Sequence, residues 1–230
     1  GRAGHGGRVR VLLERLAALL RDPSRRGLLG ALLVFTGMAL ANLTILPWDY
    51  APDEPRNAAY GFELWSGRLP TVNDPLPHEA MHTKPLAKSD FHASAQHPPL
   101  YYALTGWPFK ASVALWGTPM PGLYLARLMT AALGLAALVM LHRLVSLLLP
   151  GRRAIAVATT FFFAALPQVI NVFSIVYNDA LGTLTTLGVL HASLTILRHG
   201  ATRRRLVVAA AWMVLASLSR FSGLVSSCIG

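Results

Sequence analysis

Residues 28–46 read LLGALLVFTGMALANLTIL, without a charge, and Pro47-Trp48-Asp49-Tyr50-Ala51-Pro52-Asp53-Glu54-Pro55 follows at once. About 20 apolar residues cross a bilayer as a helix, so residues 28–46 predict a transmembrane span. The acidic pair Asp53-Glu54 then stands at the boundary between water and lipid. A carboxylate there is placed for a substrate with a polar reactive end and a tail in lipid.

The rest of the composition agrees. The chain is 53% hydrophobic and only 13% charged, against about 25% charged in soluble domains, and its mean hydropathy is +0.46. The net charge of +11 does not argue for nucleic acid, because fourteen of the 21 Lys and Arg residues lie in the N-terminal tail, in 143–153 and in 198–205. Basic residues flanking apolar runs set membrane topology. The single cysteine, Cys228, excludes an intrachain disulfide. The first apolar run is longer than the h-region of a signal peptide, and no small-residue cleavage site follows it.

Four more apolar segments follow, at 123–149, 154–177 (with Pro167 inside it), 179–197 and 206–230. With the tail placed in the cytoplasm, the basic turns at 151–153 and 198–205 also fall inside. Residues 47–122 and the Asn178-Asp179 turn then fall outside, with eight of the ten acidic residues. The expected fold is all-α, an integral membrane protein of about five transmembrane helices. Its parts are a basic cytoplasmic tail (1–27), a first span (28–46), a long external loop (47–122) and the remaining spans (123–230).

Two interfacial amphipathic helices are expected in the external loop. Asp53 or Glu54 caps the first, Pro55 suits its first turn, Ala58, Phe62 and Trp65 share a face, and Gly67 ends it. The second runs over 98–116, where Gly106, Pro108 and Lys110 argue against a crossing. In the tail, residues 9–20 predict a basic amphipathic stretch on the cytoplasmic leaflet.

Asp53 heads the candidate catalytic residues, with Glu54 beside it. A carboxylate here either deprotonates an acceptor hydroxyl or helps bind a divalent metal, Mg, Mn or Zn. Asp179 opens a span on the same side; an ionisable residue at membrane depth is a functional candidate, and Asp179 is the second candidate ligand for that metal. The bland alternative for both acids is helix capping, Asp179 together with Asn178. His97 begins His97-Pro98-Pro99-Leu100-Tyr101-Tyr102 and suits a phosphate or metal at the headgroup level. Arg127 and Arg220 are charges inside apolar segments, Arg220 about 21 Å along its helix, and guanidinium matches phosphate geometry. Their alternative is snorkelling or helix contact. His78 and His82 have helical ligand spacing, but the prolines around them and the lack of cysteine argue against zinc.

The order of these pieces resembles a known family. After the first span come Pro52-Asp53-Glu54, an amphipathic helix, Gly67-Arg68-Leu69-Pro70 and His97-Pro98-Pro99-Leu100-Tyr101-Tyr102. Then follow Ala126-Arg127-Leu128-Met129, Leu149-Pro150-Gly151-Arg152-Arg153 and Tyr177-Asn178-Asp179-Ala180. The series is similar to the polytopic glycosyltransferases of the GT-C superfamily, among them the protein O-mannosyltransferases and the bacterial aminoarabinose transferases for lipid A.

The resemblance implies an enzyme of the plasma (inner) membrane that moves a sugar from a polyprenyl-phosphate donor. The acceptor is a protein, lipid or polysaccharide on the non-cytoplasmic face, and inversion at the sugar carbon is expected. It implies that Asp53 is the essential acid of the first external loop and Asp179 a second acid. It also implies that His97 lies near the donor phosphate or metal, and that Arg127 and Arg220 are basic positions serving the donor. Members have more spans than this chain, so the resemblance implies an N-terminal portion of a longer protein. Two rivals stand beside this reading: a transporter or flippase of lipid-linked sugars, and a non-catalytic membrane subunit.

Overall fold

The computed structural model describes residues 22–48, 53–81 and 92–220, and every regular element among them is helical. The helices are α1 (Pro23–Ile45), α2 (Glu54–Trp65), α3 (Leu100–Trp116), α4 (Met120–Leu148), α5 (Arg153–Ala165), α6 (Pro167–Ser174), α7 (Asp179–His199) and α8 (Arg203–Ser219). A single helical turn at His78–Met81 and a 3₁₀ turn at Ala93–Gln96 complete the set. The expected tail helix, Asp49, His82, Asp90 and residues 221–230 lie outside the described residues.

α1 begins where the sequence supplies a cap and a proline. The Asp22 carboxylate accepts from the Ser24 N–H at 2.9 Å, and Pro23 sits in the first turn. Ala31, Phe35, Ala39 and Leu43, four residues apart, are its buried stripe. Leu33, Val34, Met38 and Leu40 on the other faces are equally apolar and exposed. A helix that is apolar all round needs lipid or protein on every side.

α1, α4 and α7 are each long and apolar enough to cross a membrane. α5 and α6 pass the same test only as a pair, bent by 64°. The bend falls at Leu166, in an extended conformation, just before Pro167. A proline lacks the N–H that a continuous helix uses and pushes its predecessor out of the helical region. Against the five spans expected, the described residues hold three such helices, or four with the bent pair. α8 has 17 residues, roughly 26 Å of helix against a hydrocarbon core of about 30 Å.

The expected external segment folds into α2 and α3, which cross at glycines. A Cβ on Gly61 would stand 2.6 Å from the Gly106 Cα, so the two backbones touch. Tyr60, Phe62, Tyr101, Tyr102 and Phe109 pack around this crossing, with the Tyr60 and Tyr102 ring centroids 4.2 Å apart. Ala58 and Phe62 are buried as expected, but Trp65 is exposed, its indole N–H donating to the Ala103 carbonyl at 2.8 Å. Gly67 ends α2 with φ of 82°, where a side chain would be strained.

Charge separates along the bundle. The start of α1, the end of α4 and the start of α5 meet at one end, where Arg153 and Arg25 approach Asp22 at 3.6 and 3.9 Å. Arg198 joins them by donating to the Leu148 carbonyl at 2.9 Å. The end of α1, the starts of α4 and α7, and α2 meet at the other end, which carries Asp53, Glu54 and Asp179.

Candidate functional site

Asp53 and Glu54 are neighbours with opposite environments. Glu54 is fully buried. Its Oε1 accepts from Arg127 Nε at 2.8 Å and from the Val176 N–H at 2.8 Å, and its Oε2 accepts from Arg127 Nη2 at 2.6 Å. Arg127 spends its other donors on the end of α1. Nη1 donates to the Leu43 and Leu46 carbonyls at 2.8 and 2.9 Å, and Nη2 donates to the Pro47 carbonyl at 3.1 Å. A guanidinium has five N–H groups, and all five are engaged.

The roles expected of these two residues therefore change. Arg127 is 1% exposed and has no donor left for a phosphate. Glu54 presents no free oxygen to a substrate. Together they close the C-terminal carbonyls of α1, which a helix end leaves unpaired, and they lock α2 to α4 and to the segment leading into α7.

Asp53 points the other way. It occupies the position before α2, but its side chain makes no capping hydrogen bond. It is about half exposed and approaches Arg56 Nη1 at 3.4 Å. Asp179 likewise opens α7 and forms an ion pair with Arg220, the residue after α8. The bland capping reading thus fails for the Asp53 side chain, and Asp179 has its own basic partner.

Asp53, His97 and Arg220, from three distant parts of the chain, border one cavity of about 270 Å³. Asn57, Ser94, Gln96, Tyr177 and Asn178 add to its polar wall. Arg220 also borders a second cavity of about 340 Å³, together with Asp179 and the apolar side chains of Leu141, Phe163 and Leu187. One arginine thus joins a polar chamber to a groove between apolar helices. Asp179 faces the groove, so the two acids do not converge on one chamber but sit on either side of Arg220.

The chamber is held by residues that the sequence did not single out. Asn57 of α2 is buried, donates from Nδ2 to the Val176 carbonyl at 2.9 Å, and accepts at Oδ1 from Ser94 at 2.7 Å and Tyr102 at 3.3 Å. It stitches α2, the 3₁₀ turn, α3 and the approach to α7 into one wall. Asn178, read earlier only as a capping partner, is 3% exposed and makes no capping bond. Its Nδ2 is buried at the cavity wall without a hydrogen-bond partner among the described residues. Such a group costs about 1–3 kcal/mol unless something accepts its hydrogen. The signal for Asn178 was present in Tyr177-Asn178-Asp179, but no spacing rule separates a cap from a ligand donor.

His97 is half-buried, its carbonyl accepting from the Tyr60 hydroxyl at 3.4 Å. Burial, and then the Arg220 guanidinium, hold its imidazole below the usual histidine range, against the opposing pull of Asp53. The ring is neutral near neutral pH and offers a hydrogen bond rather than a charge.

Asp53 and Asp179, expected as possible metal ligands, each face a guanidinium and border different cavities. Among the described residues no three His, Cys, Asp or Glu side chains stand close enough to share an ion.

Comparison with protein-family models, curated proteins and solved structures finds no match to this chain.

Proposed function

We propose that this chain carries the donor end of a membrane glycosyltransferase that moves a sugar from a polyprenyl phosphate to an acceptor hydroxyl on the non-cytoplasmic face. One observation carries the reading: Arg220 borders both the polar chamber and the apolar-walled groove. A lipid-linked sugar has that same division, with a sugar on one side of a phosphate and a polyprenyl tail on the other. The phosphate sits at Arg220, the sugar in the chamber with Asp53, and the tail along Leu141, Phe163 and Leu187.

The chemistry follows from these positions. Asp53, half exposed at the mouth of the chamber, takes the proton of the acceptor hydroxyl. The oxygen attacks the anomeric carbon from the face opposite the phosphate, which inverts it. The bond from that carbon to the phosphate oxygen breaks, and its electron pair stays on the departing polyprenyl phosphate. Arg220 holds the charge that gathers there. His97 and the Asn178 amide, which has no partner among the described residues, each supply a neutral N–H to the same phosphate or to a sugar hydroxyl. Asp179 holds Arg220 in place before the donor arrives and shares it afterwards.

The topology belongs to the same reading. The basic end faces the cytoplasm of the plasma membrane, and α2 and α3 lie at the outer interface.

The test uses membranes holding the full-length protein, supplied with radiolabelled polyprenyl-phosphate sugars. Label is followed into protein, lipid and polysaccharide. Transfer by the wild type that is lost in Asp53→Asn supports the enzyme. Donor movement between leaflets with no transfer from any donor assigns the chain to lipid-sugar transport. Tolerance of replacement at both Asp53 and Asp179 points to a non-catalytic subunit.

A further inference from the structure

We infer that the basic end of the bundle holds a second lipid site, a groove that binds an anionic phospholipid of the leaflet facing that end. The groove measures about 710 Å³ and lies between the start of α1, the end of α4 and the turn into α5. It is at the opposite end from Asp53, His97 and Arg220, and it takes no part in the transfer reaction.

Two kinds of wall define its ligand. Leu28, Leu29 and Leu32 of α1 face Val139 of α4 across an apolar trough. Arg25, Arg143 and Arg153 stand around its mouth, with Asp22 the one carboxylate among the described residues that line it. Asp22 draws Arg153 to 3.6 Å and Arg25 to 3.9 Å. Ion pairs of that length leave most of the guanidinium N–H groups for another anion. Arg143 is exposed.

His142 supports the floor rather than the ligand. Its Nε2 lies 3.4 Å from the Ser24 hydroxyl and its Nδ1 lies 3.3 Å from that of Thr160, which ties α1, α4 and α5 together beneath the arginines.

Three guanidiniums at a bilayer boundary match a phosphate diester, which they bind through paired N–H donors. Basic pockets between helices at this depth select anionic headgroups. A free phosphate would use the mouth and leave the apolar trough empty. The first 21 residues of the chain carry five arginines against one glutamate, so their charge disfavours them as the occupant.

The experiment reads bound lipid, not activity. The full chain is placed in nanodiscs of phosphatidylcholine and phosphatidylglycerol in equal amounts, and the lipid retained on release is counted by native mass spectrometry. The wild type is expected to prefer phosphatidylglycerol at least about tenfold, since each arginine near the surface favours the anionic headgroup. Arg25→Gln/Arg143→Gln/Arg153→Gln brings the ratio near parity. Arg26→Gln/Arg152→Gln/Arg203→Gln removes equal charge from the same end outside the groove and keeps it. Leu29→Trp fills the trough, spares all three arginines and also abolishes retention, which guards against misfolding of the triple variant.

A preference unchanged by the groove substitutions overturns the site. Displacement of the lipid by inorganic phosphate moves the ligand to solution and overturns the lipid assignment. A wild type that retains no lipid, but forms a dimer dispersed by Leu29→Trp, gives the groove to a second copy of the chain.

Discussion

Arg127 and Glu54 hold the residue-scale lesson of this molecule. A buried ion pair is costly to desolvate, and losing one partner strands the other. Arg127→Met leaves the Glu54 carboxylate buried and the Leu43, Leu46 and Pro47 carbonyls without donors. Thermal unfolding in detergent should show a loss of about 3–5 kcal/mol. Glu54→Leu/Arg127→Met should recover part of that loss but not all, because the α1 carbonyls stay unpaired. A variant as stable as the wild type would deny the pair its structural role.

His92 gives a pH prediction at the same scale. Its ring is fully buried beside Glu63, with Nε2 and Oε2 3.4 Å apart. Burial lowers its pKa to about 4, from about 6.5 when unfolded. The unfolded chain therefore binds more protons between these values. The His92 contribution to stability is complete above about 6.5 and is lost as the pH falls toward about 4. Glu63 is shifted upward, chiefly by burial, and works in the opposite sense. The difference in unfolding midpoint between wild type and His92→Gln isolates the histidine. It should change over that window and be flat above it.

At the scale of elements, contacts between glycines decide how α2 lies on α3. Valine at Gly106 drives its side chain into the Gly61 backbone. Backbone cannot step aside as a flexible side chain does, so Gly106→Val should cost at least about 1–3 kcal/mol and open the chamber wall that Asn57 holds. Protease sensitivity of the segment after α2 measures this directly, and unchanged cleavage would contradict it. α1 was legible because an uninterrupted apolar run between a capped proline and Pro47 leaves a helix few alternatives. Pro167 stood inside the segment 154–177, which read as one span, and the 64° bend there was not foreseen. The Gly61–Gly106 crossing was not legible, since residues 45 positions apart carry no mark of their contact.

For the molecule as a whole, one end gathers arginines and the other gathers the acids, as the charge pattern of the sequence implied. In a Cys228→Ser background, Ser66→Cys should react with an impermeant thiol reagent added outside intact cells. Arg152→Cys should react only after permeabilisation. The reverse pattern would invert the proposed orientation and move the transfer site to the cytoplasm.

Sequence reading brought Asp53, His97 and Arg220 forward as chemistry-bearing groups, and they share a cavity. It set Glu54 and Arg127 beside them because sequence shows a charge without its partner. Only the fold reveals that Arg127 is fully engaged and that the Asn178 amide is left open to the chamber.

The central claim is that Arg220 holds a lipid-linked phosphate while Asp53 acts on the acceptor. Donor binding and sugar transfer, measured separately in the full-length protein, test it most directly. Binding of a polyprenyl-phosphate sugar should fall at least about tenfold in Arg220→Gln, a loss of roughly 1.4 kcal/mol or more. It should stay unchanged in Asp53→Asn, which transfers no sugar. Undiminished donor binding by Arg220→Gln would contradict the account.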